Sequence, residues 1–296
     1  MNHFLEISQL SRAQVDNLLQ RALYFKNNGD FPDYAQHVVA NLFYENSTRT
    51  RVSFELAARR LGISVVNLDV GSSSEAKGEG IEDTLKTLAA MGIDLFVLRH
   101  TQDGIQQELA DKVGHGIHII NAGDGRHAHP SQAMLDFMTI CEKKADLEKI
   151  KIAVVGNLRH SRVANSLQCL CSLLNTRELV LVAPEIWQPE TVHFGRVTED
   201  LKDGIEDADV VMCLRVQRER LTESEQLDLT TYREYFTLTQ QRLKWAKSDA
   251  IVMHPGPINR GIEIESDVAD GPQSVILQQV SNGVFMRMAI LESLIR

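Results

Sequence analysis

Cysteine is scarce: the 296 residues hold four, Cys141, Cys169, Cys171 and Cys213. That is too few to staple a chain of this length, and no CxxC pair occurs, so a disulfide framework is excluded and all four read as reduced, mostly buried thiols. Positive charge is in deficit as well. Thirty-one Lys and Arg against 40 Asp and Glu leave a net charge of −9, which argues against nucleic acid or an anionic membrane as the main partner. No apolar run approaches the roughly 18 residues that a membrane helix needs. The opening MNHFLEISQL has neither a basic n-region nor a long apolar h-region, so no signal peptide is expected. Repeats and low-complexity tracts are missing too. The expectation is a cytoplasmic, soluble enzyme or binding protein.

What is present has globular proportions, with 43% hydrophobic and 24% charged residues, and the length suits two domains. Short, β-branched apolar runs recur: VVANLFYE (38–45), ISVVNLDV (63–70), IDLFVL (93–98) and IHIIN (117–121), then IKIAVVG (150–156), ELVLVA (178–183), ADVVMCL (208–214) and AIVMH (250–254). Such runs suit strands of a parallel sheet buried on both faces. Helical patterns separate them. Ser11 and Gln14 form a capping box, and Phe54, Ala57, Ala58 and Leu61 share a helix face that Gly62 ends. A last helix is predicted over 281–296. This alternation predicts an α/β protein of two doubly wound parallel-sheet domains with the active site in the cleft between them. The break is expected within 133–149, giving domains 1–133 and 134–280, with helix 281–296 packing back on the first.

The stretch NLFYENSTRTRVSFELAARRLG (41–62) carries the strongest chemical signal. A strand ends, Ser47-Thr48-Arg49-Thr50 turns, and a helix starts at once. Free backbone N–H groups, the positive end of the helix dipole, three hydroxyls and a guanidinium converge, which suits a phosphate. A plain Ser/Thr cap would not need four such residues in a row. Neither GxxxxGK[ST] nor GxGxxG is present. The close set His115, His118, His127 and His129 raises the question of a metal, but two flank a strand and two lie in the loop after it. Loop polarity with one catalytic histidine is the preferred reading.

Ser47-Thr48-Arg49-Thr50-Arg51 resembles the carbamoyl-phosphate motif of the aspartate and ornithine carbamoyltransferase family. His129-Pro130-Ser131-Gln132 resembles that family's HPxQ, and Arg99 ends the third strand where the family carries another phosphate-binding arginine. The similarity extends over essentially the whole chain. Further features choose the second substrate. Lys77, beside Ser73 or Ser74 in SSSEAKGEG (72–80), looks like the lysine that the aspartate branch lends to a neighbouring subunit. Arg162 follows the fifth strand, Arg215-Val216-Gln217-Arg218-Glu219-Arg220 is similar to the aspartate branch's LRVQxER, and His254-Pro255-Gly256-Pro257 stands where the ornithine branch has HCLP. Aspartate brings two carboxylates for which arginine forks are natural partners, whereas the ornithine cation would want an acidic pocket.

The resemblance implies transfer of a carbamoyl group from carbamoyl phosphate to the amine of aspartate, yielding N-carbamoyl-aspartate and phosphate, a step toward pyrimidines. It makes residues 1–133 the carbamoyl-phosphate domain and 134–280 the aspartate domain. It assigns Ser47, Thr48, Arg49, Thr50 and Arg99 to the phosphate, with Arg49, Thr50 and His129 stabilising the oxyanion. Gln132 would hold the carbamoyl NH₂, with the backbone of Gly256 and Pro257 close by. Arg162, Arg215 and Gln217, with Lys77, would hold aspartate, and Lys77 would also be catalytic. No metal or organic cofactor is called for, and closure over the site is expected. A homotrimer with shared sites is implied, and regulatory or dihydroorotase subunits are conceivable partners. The rivals are a carbamoyltransferase for ornithine or an acylated ornithine, a catalytically silent binding paralogue, and a nucleotide-binding module suggested by KIAVVGN.

Overall fold

The computed structural model describes residues 1–68, 78–217, 221–225 and 227–296. The chain divides into two compact units, one of 1–138 with 281–296 and the other of 139–280.

In the first unit α1 (Arg12–Asn28) leads to β1 (Val38–Phe43), α2 (Thr48–Arg60), β2 (Ser64–Leu68), α3 (Ile81–Ala90), β3 (Leu95–His100), α4 (Ile105–Ala110), β4 (His118–Asp124) and α5 (Pro130–Cys141). Its sheet has the order β2-β1-β3-β4 with every pair parallel. The capping box holds: the Gln14 backbone N–H donates to the Ser11 hydroxyl at 3.2 Å while the Ser11 backbone N–H donates to the Gln14 side-chain Oε1 at 2.9 Å. Gly62 takes φ +71°, the left-handed turn that stops α2, where a Cβ would also meet Asp33. Ala40, Leu42, Phe96, Leu98 and Ile119 from the strands pack with Leu85, Ile105 and Leu109 from the helices. One strand departs from expectation. β2 was expected to be buried on both faces, yet its side chains are exposed or half-buried; it lies at one edge of the sheet, and unlike β4 at the other edge its faces are left largely uncovered.

The second unit contains β5 (Lys151–Val155), α6 (Arg162–Leu173), β6 (Glu178–Val182), β7 (Arg196–Thr198), α7 (Leu201–Ile205), β8 (Val210–Cys213), α8 (Leu229–Phe236), α9 (Gln240–Leu243), β9 (Ile251–Met253) and α10 (Ser266–Ala269); α11 (Ile276–Ile295) follows. Its sheet runs β7-β6-β5-β8-β9, again all parallel. β5, β6, β8 and β9 are buried along nearly their whole lengths, as strands covered on both faces must be. The α/β alternation read from the sequence is the architecture found. The division between units falls inside α5, past residue 133, and α11 begins at Ile276, before residue 281. The four cysteines are free thiols, and burial pushes Cys171 up to about 12. Among the described residues no helix is long and apolar enough to cross a membrane.

Candidate active site

In the first unit the chemistry-bearing residues leave the C-terminal edge of three neighbouring parallel strands, the edge where such sheets collect ligands. Ser47 to Thr50 follow β1, Arg99 lies near the end of β3, and His129 and Gln132 follow β4. Ser47 occupies the N-cap of α2 with extended backbone, yet its side chain makes no capping bond. The first N–H groups of α2 therefore stand at the positive end of the dipole without a side-chain cap, which is the arrangement an anion needs. Thr48 and Arg49 are exposed, Ser47 is half-buried and Thr50 is buried.

Arg99 is buried and drawn toward β1. Its Nη1 donates to the Ala122 carbonyl at 3.2 Å, and its Nη2 lies 3.0 Å from the Glu45 carboxylate. Glu45, two residues before the Ser/Thr turn, was read only as a strand end; an acid at that spot, close to a cluster of anion donors, was the available signal. His129 immediately precedes α5 and is 5% exposed, its carbonyl accepting from the Gln132 and Ala133 amides. His127 is held by Asp124, whose carboxylate accepts from its ring at 2.9 Å and raises its pKa. His118 is spent on the Asn2 carbonyl at 2.7 Å.

The second unit repeats the design on its own sheet. Gly156 and Arg162 follow β5, Arg215 and Gln217 follow β8, and the segment 254–257 follows β9, so adjacent strand ends carry all three. Ser161 caps α6 by accepting from the Ala164 amide at 3.2 Å, which places Arg162, 5% exposed, at the first helical position. Arg215 and Gln217 are half-buried. Nearby, Glu225 accepts from the Thr222 amide and from the His160 ring, both at 2.9 Å, and these hold its pKa at about 2.

A buried hub shapes the 254–257 segment. The Gly256 amide donates to His254 Nδ1 at 2.8 Å, so the ring proton sits on Nε2, which donates to Glu263 at 3.1 Å. The same Glu263 oxygen accepts from the Asn259 amide at 2.6 Å, and the Asn259 side chain donates to the Val216 carbonyl at 3.2 Å. The loop after β9 is thereby tied to the loop that carries Arg215. Gly256 has φ +72° and is followed by a cis bond to Pro257. No sequence signal pointed to Glu263.

The sheets thus gather Ser47, Thr48, Arg49, Thr50, Arg99, His129 and Gln132 on one unit, and Arg162, Arg215, Gln217, Gly256 and Pro257 on the other. Lys77, with Ser73 and Ser74, and Arg218, Glu219 and Arg220 lie outside the described residues. Among the described residues no group of three or more His, Cys, Asp or Glu could hold a metal ion.

Two family descriptions match the chain end to end: the carbamoyl-P binding domain of aspartate/ornithine carbamoyltransferase over residues 2–142, and the Asp/Orn binding domain over 148–294. The aspartate carbamoyltransferase catalytic subunit of Legionella pneumophila (strain Corby) is 68% identical over 100% of this chain and 99% of its own. A crystal structure of aspartate transcarbamoylase from Trypanosoma cruzi, in complex with carbamoyl aspartate and phosphate, superposes with a TM-score of 0.88 at 33% identity, covering 99% of this chain and 95% of that one. The T. cruzi protein has also been solved with N-(phosphonacetyl)-L-aspartic acid. Ornithine carbamoyltransferase from Thermus thermophilus superposes equally well, TM-score 0.88 over 99% of both chains, at 23% identity; this likeness speaks to the fold alone.

Proposed function

The chain belongs to the aspartate/ornithine carbamoyltransferase family, and from that premise we propose that it transfers the carbamoyl group of carbamoyl phosphate to the amino group of L-aspartate, giving N-carbamoyl-L-aspartate and phosphate. The observation that carries aspartate over ornithine is the pair Arg162 and Arg215, set after the adjacent strands β5 and β8. Two guanidinium groups at one sheet edge suit a dicarboxylate and repel a second cation.

The phosphate binds at the start of α2. Ser47, Thr48 and Thr50 supply hydroxyl donors, Arg49 a fork and Arg99 a second one, after exchanging Glu45 for the ligand. The neutral aspartate amine attacks the carbamoyl carbon, the carbonyl oxygen takes up negative charge, and Arg49, Thr50 and His129 donate to it; collapse breaks the C–O bond, and the leaving phosphate takes up the proton that the amine loses. His129 acts as a donor and not as a nucleophile. Gln132 accepts from the carbamoyl NH₂, and the backbone at Gly256 and Pro257 approaches the same group where a side chain would crowd it. Arg162 and Arg215 clamp the aspartate carboxylates with Gln217 in support. Holding both reactants in register supplies much of the acceleration, because the entropy of bringing them together is lost on binding and not in the transition state.

Finer features extend the same reading. The family resemblance adds a homotrimer with shared sites, Lys77 being assigned to the site of a neighbouring copy, and a product that feeds pyrimidine synthesis in the cytoplasm. The deciding experiment incubates the protein with carbamoyl phosphate and either aspartate or ornithine and measures ureido product. Carbamoyl-aspartate alone is expected; citrulline in preference to it would reverse the assignment.

A further inference from the structure

On α5, one turn beyond His129, Gln132 and Asp136 stand four residues apart and meet on one face. The Gln132 Nε2 donates to Asp136 Oδ1 at 2.9 Å. Both are buried, Gln132 at 8% and Asp136 at 0% exposure. A carboxylate only accepts, so the edge of the Gln132 amide that meets it is the NH₂ edge, and the amide oxygen is turned away from Asp136. The carboxylate has a cation within electrostatic reach. Arg287, on α11 and 3% exposed, has its pKa drawn down by burial to about 10 while the Asp136 charge works the other way. At neutral pH it is still a guanidinium. That group is itself fixed: Nη1 donates to the Gly283 carbonyl at 3.1 Å, and its carbon lies 5.0 Å from the ring centre of Phe54 on α2. Phe54 is on the helix that Ser47 to Thr50 begin.

We propose that Asp136, its charge offset by Arg287, is the positioning residue that fixes which edge of the Gln132 amide faces the substrate, so that the site takes an acyl phosphate carrying N–H donors. The inference rests on the carbamoyl phosphate reading above, in which Gln132 accepts from the carbamoyl NH₂. With the amide held, its oxygen is offered to that NH₂. With the amide turned over, NH₂ would face NH₂, and one hydrogen bond would be exchanged for a stranded donor. Inorganic phosphate, which has no such group, is indifferent to the amide's orientation.

The test is Asp136→Asn, which keeps the shape but can satisfy either edge of the amide. Expected are a loss of about tenfold in kcat/KM for carbamoyl phosphate and an affinity for inorganic phosphate within about twofold of wild type. A variant with wild-type kcat/KM overturns the proposal. So does a parallel fall in phosphate affinity, which would mean that Asp136 merely supports the fold. If the variant does not fold, wild-type protein labelled with ¹⁵N-glutamine decides, the Gln132 side-chain signal being identified by its disappearance in Gln132→Met. One amide proton shifted downfield and slow to exchange supports the carboxylate bond; a solvent-like pair of protons refutes it. If the wild type makes no carbamoyl-aspartate, the substrate reading fails instead, and the same spectrum still reports the amide's orientation.

Discussion

Replacing Glu263 by alanine removes an acceptor shared by two donors, His254 Nε2 at 3.1 Å and the Asn259 amide at 2.6 Å. The His254 and Glu263 side chains are both at 0% exposure, so the ring N–H left behind has no water to turn to. A stranded buried donor costs roughly 1–3 kcal/mol. The Asn259 backbone is only partly covered and recovers some of its loss from solvent, so the two together come to about 3 kcal/mol. Glu263→Gln keeps an oxygen in the same place and should cost about 1 kcal/mol. Both tryptophans, Trp187 and Trp245, lie in the second unit, so intrinsic fluorescence reads the unfolding of that unit. With an m-value of about 2 kcal/mol/M in urea, Glu263→Ala should lower its midpoint by about 1.5 M and the glutamine variant by about 0.5 M. The lost hub also frees the loop at Gly256, so carbamoyl phosphate use should weaken in step. An alanine midpoint within about 0.5 M of wild type, or a glutamine variant as damaged as the alanine one, would refute the reasoning.

Arg49→Ala should lower kcat by about a hundredfold to a thousandfold, as expected for a lost oxyanion donor, in a steady-state assay of carbamoyl-aspartate; near-normal turnover would remove Arg49 from the cradle. Mixing Lys77→Ala with Arg49→Ala chains after mild dissociation should restore activity, because some shared sites then carry neither change; no rescue would contradict sharing. Glu225 is held at about 2, below its ordinary 4.5, so its contribution is complete above pH 4.5 and is lost as the pH falls toward 2. The protection of the Thr222 amide, measured as its hydrogen exchange relative to an unstructured amide at the same pH, should fall across that window in the wild type, and Glu225→Gln should abolish that fall.

The elements that could be read from the chain were those whose local pattern and tertiary role agree. The runs at 150–156 and 178–183 became β5 and β6, where a continuous β-branched sequence is matched by cover on both faces. The Ser11–Gln14 box and Gly62 worked because capping is decided within a few residues. β7 escaped: Arg196–Thr198 has three residues at a sheet edge, largely uncovered, with no apolar run to announce it. Ser47, Thr48, Arg49 and Thr50 were legible as a candidate anion site because they sit in one run whose residue types already suit anions, and Arg99, His129, Arg162 and Arg215 became candidates through the family resemblance. Their supports were not legible. Asp136 and Glu263 find their partners through the packing of helices and loops, and such pairings leave no mark on local spacing; Glu45 left only its place beside the anion-donor run.

The most direct measurement is calorimetric titration with N-(phosphonacetyl)-L-aspartate, which joins a phosphonate to an aspartate. Tight binding is predicted, one molecule per chain, weakened at least about tenfold by Arg49→Ala and by Arg215→Ala alike, since each removes a charged hydrogen-bonding partner of a different end of the molecule. Absence of binding, or an affinity that neither substitution changes, would contradict the account.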